Sequence, residues 1–456
     1  MDLRGKTVAV AGLGNSGFNA ARLLRDLGAI VKATDSSDTP AVRNNAKVLQ
    51  DLGIEVETGK HTEGFIKNSS LVVVSPGIEP RSRAFVWAKE FRIPVIGETE
   101  LGYRFCKGRI IAITGTNGKS TVTTLVGEIL KAGGLDAVVC GNIGNSLCGE
   151  IPGIKNDTWV VLETSSFQLE TIRSFKPYIA LVLNITDDHM DRYDNFEEYF
   201  NEKLKIFSNQ DERDILILNY DAENLRPLKD EAASKTLFYS RLKRTDGAYV
   251  KDGSIYCVSG GAASEIMPIG DIGLKGAHNI ENVLASALVG TLAGVEEGRI
   301  RGAVKAFGGL PHRVEAVAVM DGVEYIDDSK GTTVDSTYRA LEACDRPVIL
   351  IAGGKDKHSD YSYVLDIVKK KVKALVLIGE AKDAIKKALR GAAETFEAKD
   401  MGEAVSIAHD MARKGWIVLL SPMCSSFDMY KDYKERGDAF REAVDMIKDS
   451  SRGVKV

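Results

Sequence analysis

The sequence is poor in the features that mark secreted, membrane-spanning and thiolate-metal proteins. Its six cysteines are scattered over 456 residues without a CxxC pair, which argues against a disulfide framework or a thiolate metal site. No apolar run approaches the roughly 18 residues that a membrane span requires. The N-terminal MDLRGKTVAVAG enters a strand without an apolar signal core. These absences predict a cytoplasmic protein that does not associate with membranes.

An excess of charge of either sign is also missing. Lys and Arg number 60, Asp and Glu number 64, and the net charge is −4. This balance gives no reason to expect nucleic acid or a membrane surface as a partner. Any anionic ligand must therefore be held by local groups, so individual loops carry the functional information.

What the sequence does contain is an alternation of short apolar strands with amphipathic segments. Continuous apolar strands between helices are typical of parallel sheets covered on both faces. The chain is longer than a single hydrophobic core can organise, so we expect about three α/β domains. Breaks at IPVIGETE and GGLPHR predict domains at residues 1–97, 98–309 and 310–456. Residues 236–271 are typical of short antiparallel strands added to the middle domain.

The first glycine-rich loop indicates a nucleotide diphosphate. KTVAVA leads into GLGNSG, with Gly12, Gly14 and Gly17 in the GxGxxG arrangement, and the next strand ends at Asp35. Such glycines let the backbone approach a diphosphate at a helix N-terminus, and the acid takes a ribose hydroxyl. An NAD site is the usual interpretation of this pattern, but a UDP-sugar contains the same diphosphate and ribose. The turn at Ser75 follows the next strand and is predicted at the same sheet edge.

A second loop, GTNGKST at residues 115–121, has the strand–loop–helix context of a phosphate-binding loop. Its amides would cradle phosphates, Lys119 would reach the β- and γ-phosphate oxygens, and Ser120 would bind Mg²⁺. The loop is shorter than the standard GxxxxGKS form, which makes the variant informative.

Metal ligands are expected where the following strands end. Glu163 closes WVVLE, and His189 follows IALVLNI. A carboxylate suits Mg²⁺, whereas histidine is an unusual ligand for it and by itself favours a hydrogen-bonding loop residue. Lys203, in the helix that follows, would by default be a solvated surface lysine.

A set of eight segments is similar to the Mur ligase family. The segments occur in order between residues 115 and 437: GTNGKST, ETSSFQLE, NITDDHMDRY, EKLKIF, GAHNIENVLAS, GLPHRVE, IDDSKGT and SPMCSSFDMYKDYKERG. The short phosphate loop is that family's form. GLGNSG, ETSSFQLE and SPMCSSFD most resemble the family's D-glutamate-adding members.

The resemblance implies an ATP-dependent ligase of peptidoglycan assembly that joins D-glutamate to UDP-N-acetylmuramoyl-L-alanine. It implies an N-terminal Rossmann-like UDP-binding domain, a central P-loop-type ATPase domain and a C-terminal dinucleotide-fold-like domain, in a monomer. Two Mg²⁺ ions and ATP as co-substrate are expected.

Site residues follow from matching segments. The UDP-substrate residues implied are Asn15, Ser16, Asp35, Ser36, Ser75, Pro76, Gly77 and Asn142. The ATP residues implied are Gly115, Thr116, Asn117, Gly118, Lys119, Ser120, Thr121, Asn279, Asn282, Arg313 and Asp328. The D-glutamate residues implied are Thr332, Lys357, Ser426, Phe427 and Tyr433.

The metal and catalytic groups are implied in the same way. Ser120 and Glu163 would hold the first Mg²⁺, and His189 with Lys203 as a carbamate would hold the second. Carbamylation turns a repelling ammonium into anionic oxygens, which Mg²⁺ prefers. The catalytic residues implied are Lys119, His189, Lys203, Arg313 and Lys330.

Competing functions remain at this stage. An NAD-dependent oxidoreductase would explain GLGNSG, and a P-loop ATPase would explain GTNGKS, but each leaves the other loop unused. Within the family, an L-alanine-adding ligase and a folylpolyglutamate synthase are the nearest alternatives.

Overall fold

The computed structural model describes residues 1–188, 190, 192–274 and 276–453. The chain divides into two compact units. The first comprises Met1–Ile185, Glu197–Asp271 and Glu281–Lys305, and the second comprises Thr186–Phe196, Ile272–Ile280 and Ala306–Val456. In the described part of the chain, no helix combines the length and the apolar character needed to cross a membrane.

The first sheet has five parallel strands in the order β3-β2-β1-β4-β5. All four residues of β4 are buried, as expected for a strand covered on both faces. Its strands are β1 (Thr7–Ala11), β2 (Ile30–Thr34), β3 (Glu55–Glu57), β4 (Leu71–Val74) and β5 (Val95–Gly97). Its helices are α1 (Asn15–Asp26), α2 (Pro40–Asp51), α3 (Glu63–Ile66) and α4 (Arg83–Glu90). The central position of β1 places its glycine loop between the ends of β2 and β4.

The second sheet has nine strands in the order β14-β13-β12-β11-β10-β9-β6-β8-β7. They are β6 (Arg109–Thr114), β7 (Ala137–Gly141), β8 (Trp159–Glu163), β9 (Ile179–Val182), β10 (Ile215–Asn219), β11 (Lys235–Ser240), β12 (Ala248–Lys251), β13 (Ser254–Ser259) and β14 (Ala262–Pro268). The helices of this region are α5 (Glu98–Phe105), α6 (Lys119–Ala132), α7 (Leu147–Glu150), α8 (Ser166–Leu169), α9 (Phe196–Leu204), α10 (Ala277–Leu292) and α11 (Glu297–Ala306). β12, β13 and β14 pair antiparallel, as predicted, whereas β11, at the start of the same segment, pairs parallel with both β10 and β12.

The third sheet has six strands in the order β15-β16-β20-β17-β18-β19, and only the edge strand β15 is antiparallel to its neighbour. Its strands are β15 (Glu315–Met320), β16 (Val323–Asp327), β17 (Val348–Gly353), β18 (Val372–Ile378), β19 (Glu394–Glu397) and β20 (Ile417–Leu420). Its helices are α12 (Val334–Ala343), α13 (Leu365–Lys371), α14 (Lys382–Ala388), α15 (Met401–Met411) and α16 (Tyr433–Gly453). The predicted α/β class with three largely parallel sheets is confirmed.

A buried carboxylate in α5 connects this helix to the segment of residues 173–175 in the region of the second sheet. Glu100 is 0% exposed, and its oxygens accept hydrogen bonds from the backbone amides of Arg173, Ser174 and Phe175 and from the Arg104 side chain. Burial by itself would raise the pKa of Glu100, but these hydrogen bonds outweigh it and lower the pKa below its ordinary value. The ionised carboxylate therefore stabilises the fold.

We expect Glu100→Gln to lower the free energy of unfolding at pH 7 by about 2 kcal/mol, because hydrogen bonds to a charged group are lost. The folded-state pKa lies below the unfolded value of 4.5. The unfolded chain therefore takes up the proton first as the pH falls, and the carboxylate's contribution is lost as the pH passes through the folded-state pKa. Chemical unfolding should show the wild-type advantage at pH 7 and a smaller one below pH 4.5.

The matched control is Glu128→Gln, because Glu128 is an exposed carboxylate that pairs with Lys131. It should change stability little at either pH. A Glu100→Gln deficit that does not vary with pH would contradict the assignment.

Candidate active site

The first glycine loop is shaped for close backbone approach. Gly12 has a φ of +90°, and a β-carbon there would lie 2.7 Å from Ser75 Cβ. A β-carbon on Gly17 would collide with the Gly12 carbonyl. α1 then begins at Asn15 without an acidic residue in its first turn. Its free amides and positive dipole end are suited to an anion such as a diphosphate.

Asp35 organises this loop. Its Oδ2 accepts from the Leu13 amide at 2.6 Å, and its Oδ1 accepts from the Ser37 amide at 2.8 Å and the Ser37 hydroxyl at 2.7 Å. Because both oxygens already hold the turns after β1 and β2, the structure gives Asp35 a positioning role. The contact with a ribose hydroxyl stays a prediction. Ser36 is exposed beside Asp35, and the Ser75–Gly77 turn follows β4, next to β1 as expected.

The phosphate loop follows β6 and opens α6 at Lys119. Gly118 precedes the helix with a φ of +83°, and a β-carbon there would lie 2.5 Å from Asn282 Oδ1. Glycine is therefore required by both the backbone conformation and the neighbouring side chain. The Lys119 ammonium donates to the carbonyls of Gly115 at 2.9 Å and Thr116 at 2.8 Å. The ammonium therefore lies against the loop that is predicted to bind the phosphates.

Asn184 holds this loop, and sequence reasoning missed it. Its carbonyl accepts from the Thr116 amide at 2.8 Å. Its side-chain Oδ1 accepts from the Asn117 amide at 2.8 Å, and its Nδ2 donates to the Asn117 carbonyl at 3.1 Å. Asn184 follows β9, the direct neighbour of β6. Its position after an apolar strand is the only signal that the sequence offered.

Glu163 has the character of a Mg²⁺ ligand. It ends β8 opposite Ile113 of β6, next to the phosphate loop, and is 1% exposed. Its Oε1 accepts from Asn142 Nδ2 at 2.9 Å, while Oε2 has no hydrogen-bond partner among the described residues. An orphaned buried carboxylate oxygen is costly unless a cation or donor meets it. The donor set at this position therefore fits a hard divalent cation, and Ser120 is buried in the first turn of α6.

The second predicted metal position is only partly described. His189 lies outside the described residues. Lys203 is 2% exposed, which overturns the default expectation of a solvated surface lysine. Its ammonium donates to the Gly115 carbonyl at 3.0 Å and lies 4.8 Å from the Tyr199 ring centre. Lys203 is thus beside the phosphate loop, where a carbamate would present its oxygens. No cluster of three or more His, Cys, Asp or Glu metal ligands is present among the described residues.

In the second unit, the loop that precedes β15 is hydrogen-bonded to the loop that follows β16. The Lys330 amide donates to the His312 carbonyl at 3.0 Å, and its ammonium lies 4.8 Å from the Tyr433 ring centre. Asp328 is buried, and burial raises its pKa to about 7 despite a hydrogen bond from Ser421. Its predicted contact with the ATP ribose stays a prediction. Asn279, on α10, is buried.

Arg436 is a second residue that sequence reasoning left unassigned. The buried guanidinium donates to the Ser329 hydroxyl at 3.0 Å and carbonyl at 2.7 Å, and to the carbonyls of Cys424 and Ser425. Burial lowers its pKa to about 10. Arg436 therefore joins the loop of Lys330, predicted at the reaction centre, to the loop of Ser426, predicted to bind D-glutamate.

A cavity of about 390 Å³ lies in the second unit, and Lys357 is the only predicted D-glutamate residue among its described lining residues. Lys357 Nζ lies 3.5 Å from Asp188 Oδ1. Thr333 lines the cavity next to the predicted Thr332, and His358, Ser359 and Asp360 add polar groups. Phe427 is 72% exposed. The structure thus brings only part of the predicted set together.

A glycine-rich turn suited to a diphosphate, followed by a phosphate loop with an adjacent buried carboxylate, fits the class of ATP-dependent enzymes that act on a nucleotide-linked substrate. Sequence models of three domains match the chain: "Mur ligase MurD-like, N-terminal domain" at residues 6–97, "Mur ligase middle domain" at 113–290 and "Mur ligase, glutamate ligase domain" at 312–424. The chain belongs to the Mur ligase family.

Relatives support this assignment along the whole chain. A UDP-N-acetylmuramoylalanine--D-glutamate ligase of Koribacter versatilis is 44% identical over 97% of this chain and 98% of its own. The enzyme with the same name from Caldanaerobacter subterraneus is 42% identical over 97% and 99%. The crystal structure of the UDP-N-acetylmuramate-alanine ligase of Thermotoga maritima has a TM-score of 0.61 at 18% identity, covering 98% and 99% of the two chains. That likeness shows the shared fold.

We expect Asn184→Ala to raise the apparent KM for ATP about thirtyfold, because two side-chain hydrogen bonds of about 1 kcal/mol each hold the Asn117 backbone. KM for the other substrates should change less than threefold. The control is Asn224→Ala, which removes a 3.0 Å bond to the adjacent Ile185 carbonyl and should leave KM for ATP unchanged. Steady-state kinetics with varied ATP measures both, and equal effects of the two variants would contradict the assignment.

Proposed function

We propose that this chain joins D-glutamate to UDP-N-acetylmuramoyl-L-alanine with cleavage of ATP to ADP and phosphate, as a step in making the peptidoglycan precursor. The observation that carries the proposal is end-to-end identity of 44% and 42% to relatives named UDP-N-acetylmuramoylalanine--D-glutamate ligase. An oxidoreductase would leave the phosphate loop and Glu163 without a role. The absence of membrane association, the monomeric state and the cytoplasmic location are part of the proposal.

Three regions divide the work in this proposal. Residues 1–97 bind the UDP end of the muramoyl substrate, residues 98–309 bind ATP, and residues 310–456 bind D-glutamate. The first region offers the α1 N-terminus to the diphosphate, and the turns at Ser36 and Ser75–Gly77 lie beside it at the same sheet edge. Asn142 extends this surface toward Glu163 through its 2.9 Å hydrogen bond.

The ATP site is assigned to the phosphate loop, with Asn279, Asn282, Arg313 and Asp328 as further contacts. Ser120 and Glu163 would hold one Mg²⁺, and His189 with carbamylated Lys203 would hold a second. When bound, Mg²⁺ would neutralise part of the negative charge of the phosphates. The orphaned Glu163 Oε2 supports the first position, and the burial of Lys203 at the loop supports the second.

The reaction proceeds in two transfers. An oxygen of the alanyl carboxylate attacks the γ-phosphorus of ATP, the bond to the β-phosphate oxygen breaks, and ADP leaves an acyl phosphate behind. Lys119 and Arg313 stabilise the negative charge of the transferring group. The amine of D-glutamate then attacks the acyl carbon, loses a proton, and displaces inorganic phosphate to form the amide. Lys330 is assigned to this reaction centre.

D-Glutamate binding is assigned to Thr332, Lys357, Ser426, Phe427 and Tyr433. Lys357 now faces Asp188 at 3.5 Å, so a substrate carboxylate would replace one carboxylate partner with another. The Lys357 ammonium in this cavity gives the charge recognition that an acidic amino acid requires.

The function is tested by phosphate release from ATP with UDP-N-acetylmuramoyl-L-alanine and each of D-glutamate, L-glutamate, L-alanine or no amino acid. We expect release only with D-glutamate, and a nucleotide product heavier by one glutamyl residue. Lys357→Met should raise KM for D-glutamate at least tenfold because a charge-assisted contact is lost. Release without an amino acid indicates an ATPase instead, and release with L-alanine indicates a different member of the family.

Carbamylation of Lys203 is tested by Lys203→Ala. We expect the variant to lose at least a hundredfold in kcat, since removal of a group that stabilises transition-state charge costs about that much. Added short-chain carboxylates should restore part of the activity by supplying anionic oxygens in the space left. Lys205→Ala is the control, because Lys205 lies two residues away and pairs with Glu202. Restoration by short amines instead of carboxylates contradicts the carbamate.

A further inference from the structure

An amide in α1 connects the first sheet region to the loop beside Glu163. Asn19 is 7% exposed. Its Nδ2 lies 3.0 Å from Asn15 Oδ1, 2.8 Å from Asn145 Oδ1 and 3.1 Å from Ser146 Oγ. Asn15 is in the first turn of α1, where the substrate diphosphate is assigned, whereas Asn145 and Ser146 follow β7. All these residues belong to the first compact unit.

The orientation of this amide is fixed by its neighbours. Asn145 Oδ1 also accepts from the Ser146 amide at 3.0 Å, while Asn145 Nδ2 donates to Glu150 Oε1 at 2.9 Å. The atom of Asn19 that meets Asn145 Oδ1 must therefore be a donor. Its two protons serve three acceptors, so at least one hydrogen bond is shared. A leucine, which has the same shape, provides none of these donors.

The far end of the loop is attached to Glu163, the carboxylate assigned to the first Mg²⁺. The Gly141 amide donates to the Asn145 carbonyl at 2.8 Å, which closes the loop on itself. The Asn142 amide donates to the Glu163 carbonyl at 2.9 Å, and Asn142 Nδ2 donates to Glu163 Oε1 at the same distance. Hydrogen bonds and the short backbone of this loop thus connect Asn15, through Asn19 and Asn145, to Glu163.

Packing supports the same arrangement. A β-carbon on Gly149 would lie 2.6 Å from Asn145 Nδ2, so this glycine leaves the space that the Asn145 side chain occupies. A β-carbon on Gly102 of α5 would lie 2.6 Å from Leu147 Cγ at the start of α7. The loop between β7 and α7 is therefore held closely at its α7 end as well as at Glu163.

We propose that Asn19 is a positioning residue that fixes the loop of residues 141–146 relative to the diphosphate-binding end of α1. This inference rests on the proposed function. The muramoyl substrate must reach from its diphosphate to an acyl carboxylate at the phosphate-transfer centre, and a misplacement of about 1 Å can cost a hundredfold in rate. Asn19 fixes the distance between the diphosphate-binding end of α1 and the loop beside Glu163, and it does not touch the reacting atoms.

The test compares Asn19→Leu with Gln210→Met. Gln210 is an equally buried amide that bonds to the Pro177 and Ile215 carbonyls and the Ser234 hydroxyl, at the opposite ends of the central strands from the phosphate loop. Both variants should lower Tm to a similar extent. Only Asn19→Leu should lower kcat about tenfold or more, with the dissociation constants of UDP alone and of Mg-ATP within about threefold of wild type.

Asn145→Ala provides a second variant that removes the partner instead. We expect the same loss in kcat, and no further loss in the double variant, because the two residues share one interaction. Additive losses, an unchanged kcat in Asn19→Leu, or a matching loss in Gln210→Met would overturn the inference. A tenfold loss of UDP affinity with normal kcat would also overturn it, by placing Asn19 in diphosphate binding. Failure of the proposed function is distinct, since wild type would then show no D-glutamate-dependent phosphate release.

Discussion

The phosphate loop is held in place by the strands that flank it, and the proposed chemistry depends on this constraint. β6 lies between β9 and β8, so the residues that end these strands meet the loop directly. Asn184 fixes the Thr116 and Asn117 backbone from one side, and Glu163 brings a carboxylate to the other. The remaining assignments, from the metal ligands to the span of the muramoyl substrate, all require this loop geometry to be fixed before substrates arrive.

Much of this arrangement was predictable from the sequence because it rests on local patterns. Apolar strands predicted parallel sheets, and the glycines of GLGNSG and GTNGKST predicted two anion-binding turns, since close backbone approach and positive φ leave few alternatives. The steric need at Gly12 and Gly118 agrees with that interpretation. The antiparallel strands after residue 236 were equally visible, because their turns and alternation are local. Resemblance then specified the chemistry that the loops alone left open between an oxidoreductase, an ATPase and a ligase.

The parts that escaped prediction are polar contacts between distant segments. Asn184 and Asn117 are 67 residues apart, Asn19 and Asn145 are 126 apart, and Arg436 and Ser329 are 107 apart. An isolated asparagine or arginine carries no periodic signal, and its partners are defined only after the sheets form. Lys203 is a different case, because the sequence by itself left it as a surface lysine, the resemblance assigned it to the metal site, and the structure buries it against Gly115. The predicted D-glutamate residues remain the least assembled, with Lys357 in a cavity and Phe427 exposed.

In the proposed reaction, formation of an acyl phosphate from the alanyl carboxylate and ATP precedes formation of the amide. This order is tested most directly with UDP-N-acetylmuramoyl-L-alanine labelled with ¹⁸O in the alanyl carboxylate, in the presence of ATP, Mg²⁺ and D-glutamate. We expect each inorganic phosphate released to carry one labelled oxygen, because the carboxylate oxygen that attacks the γ-phosphorus leaves with it. Product formation with unlabelled phosphate would contradict the account, since the amide would then have formed without an acyl phosphate.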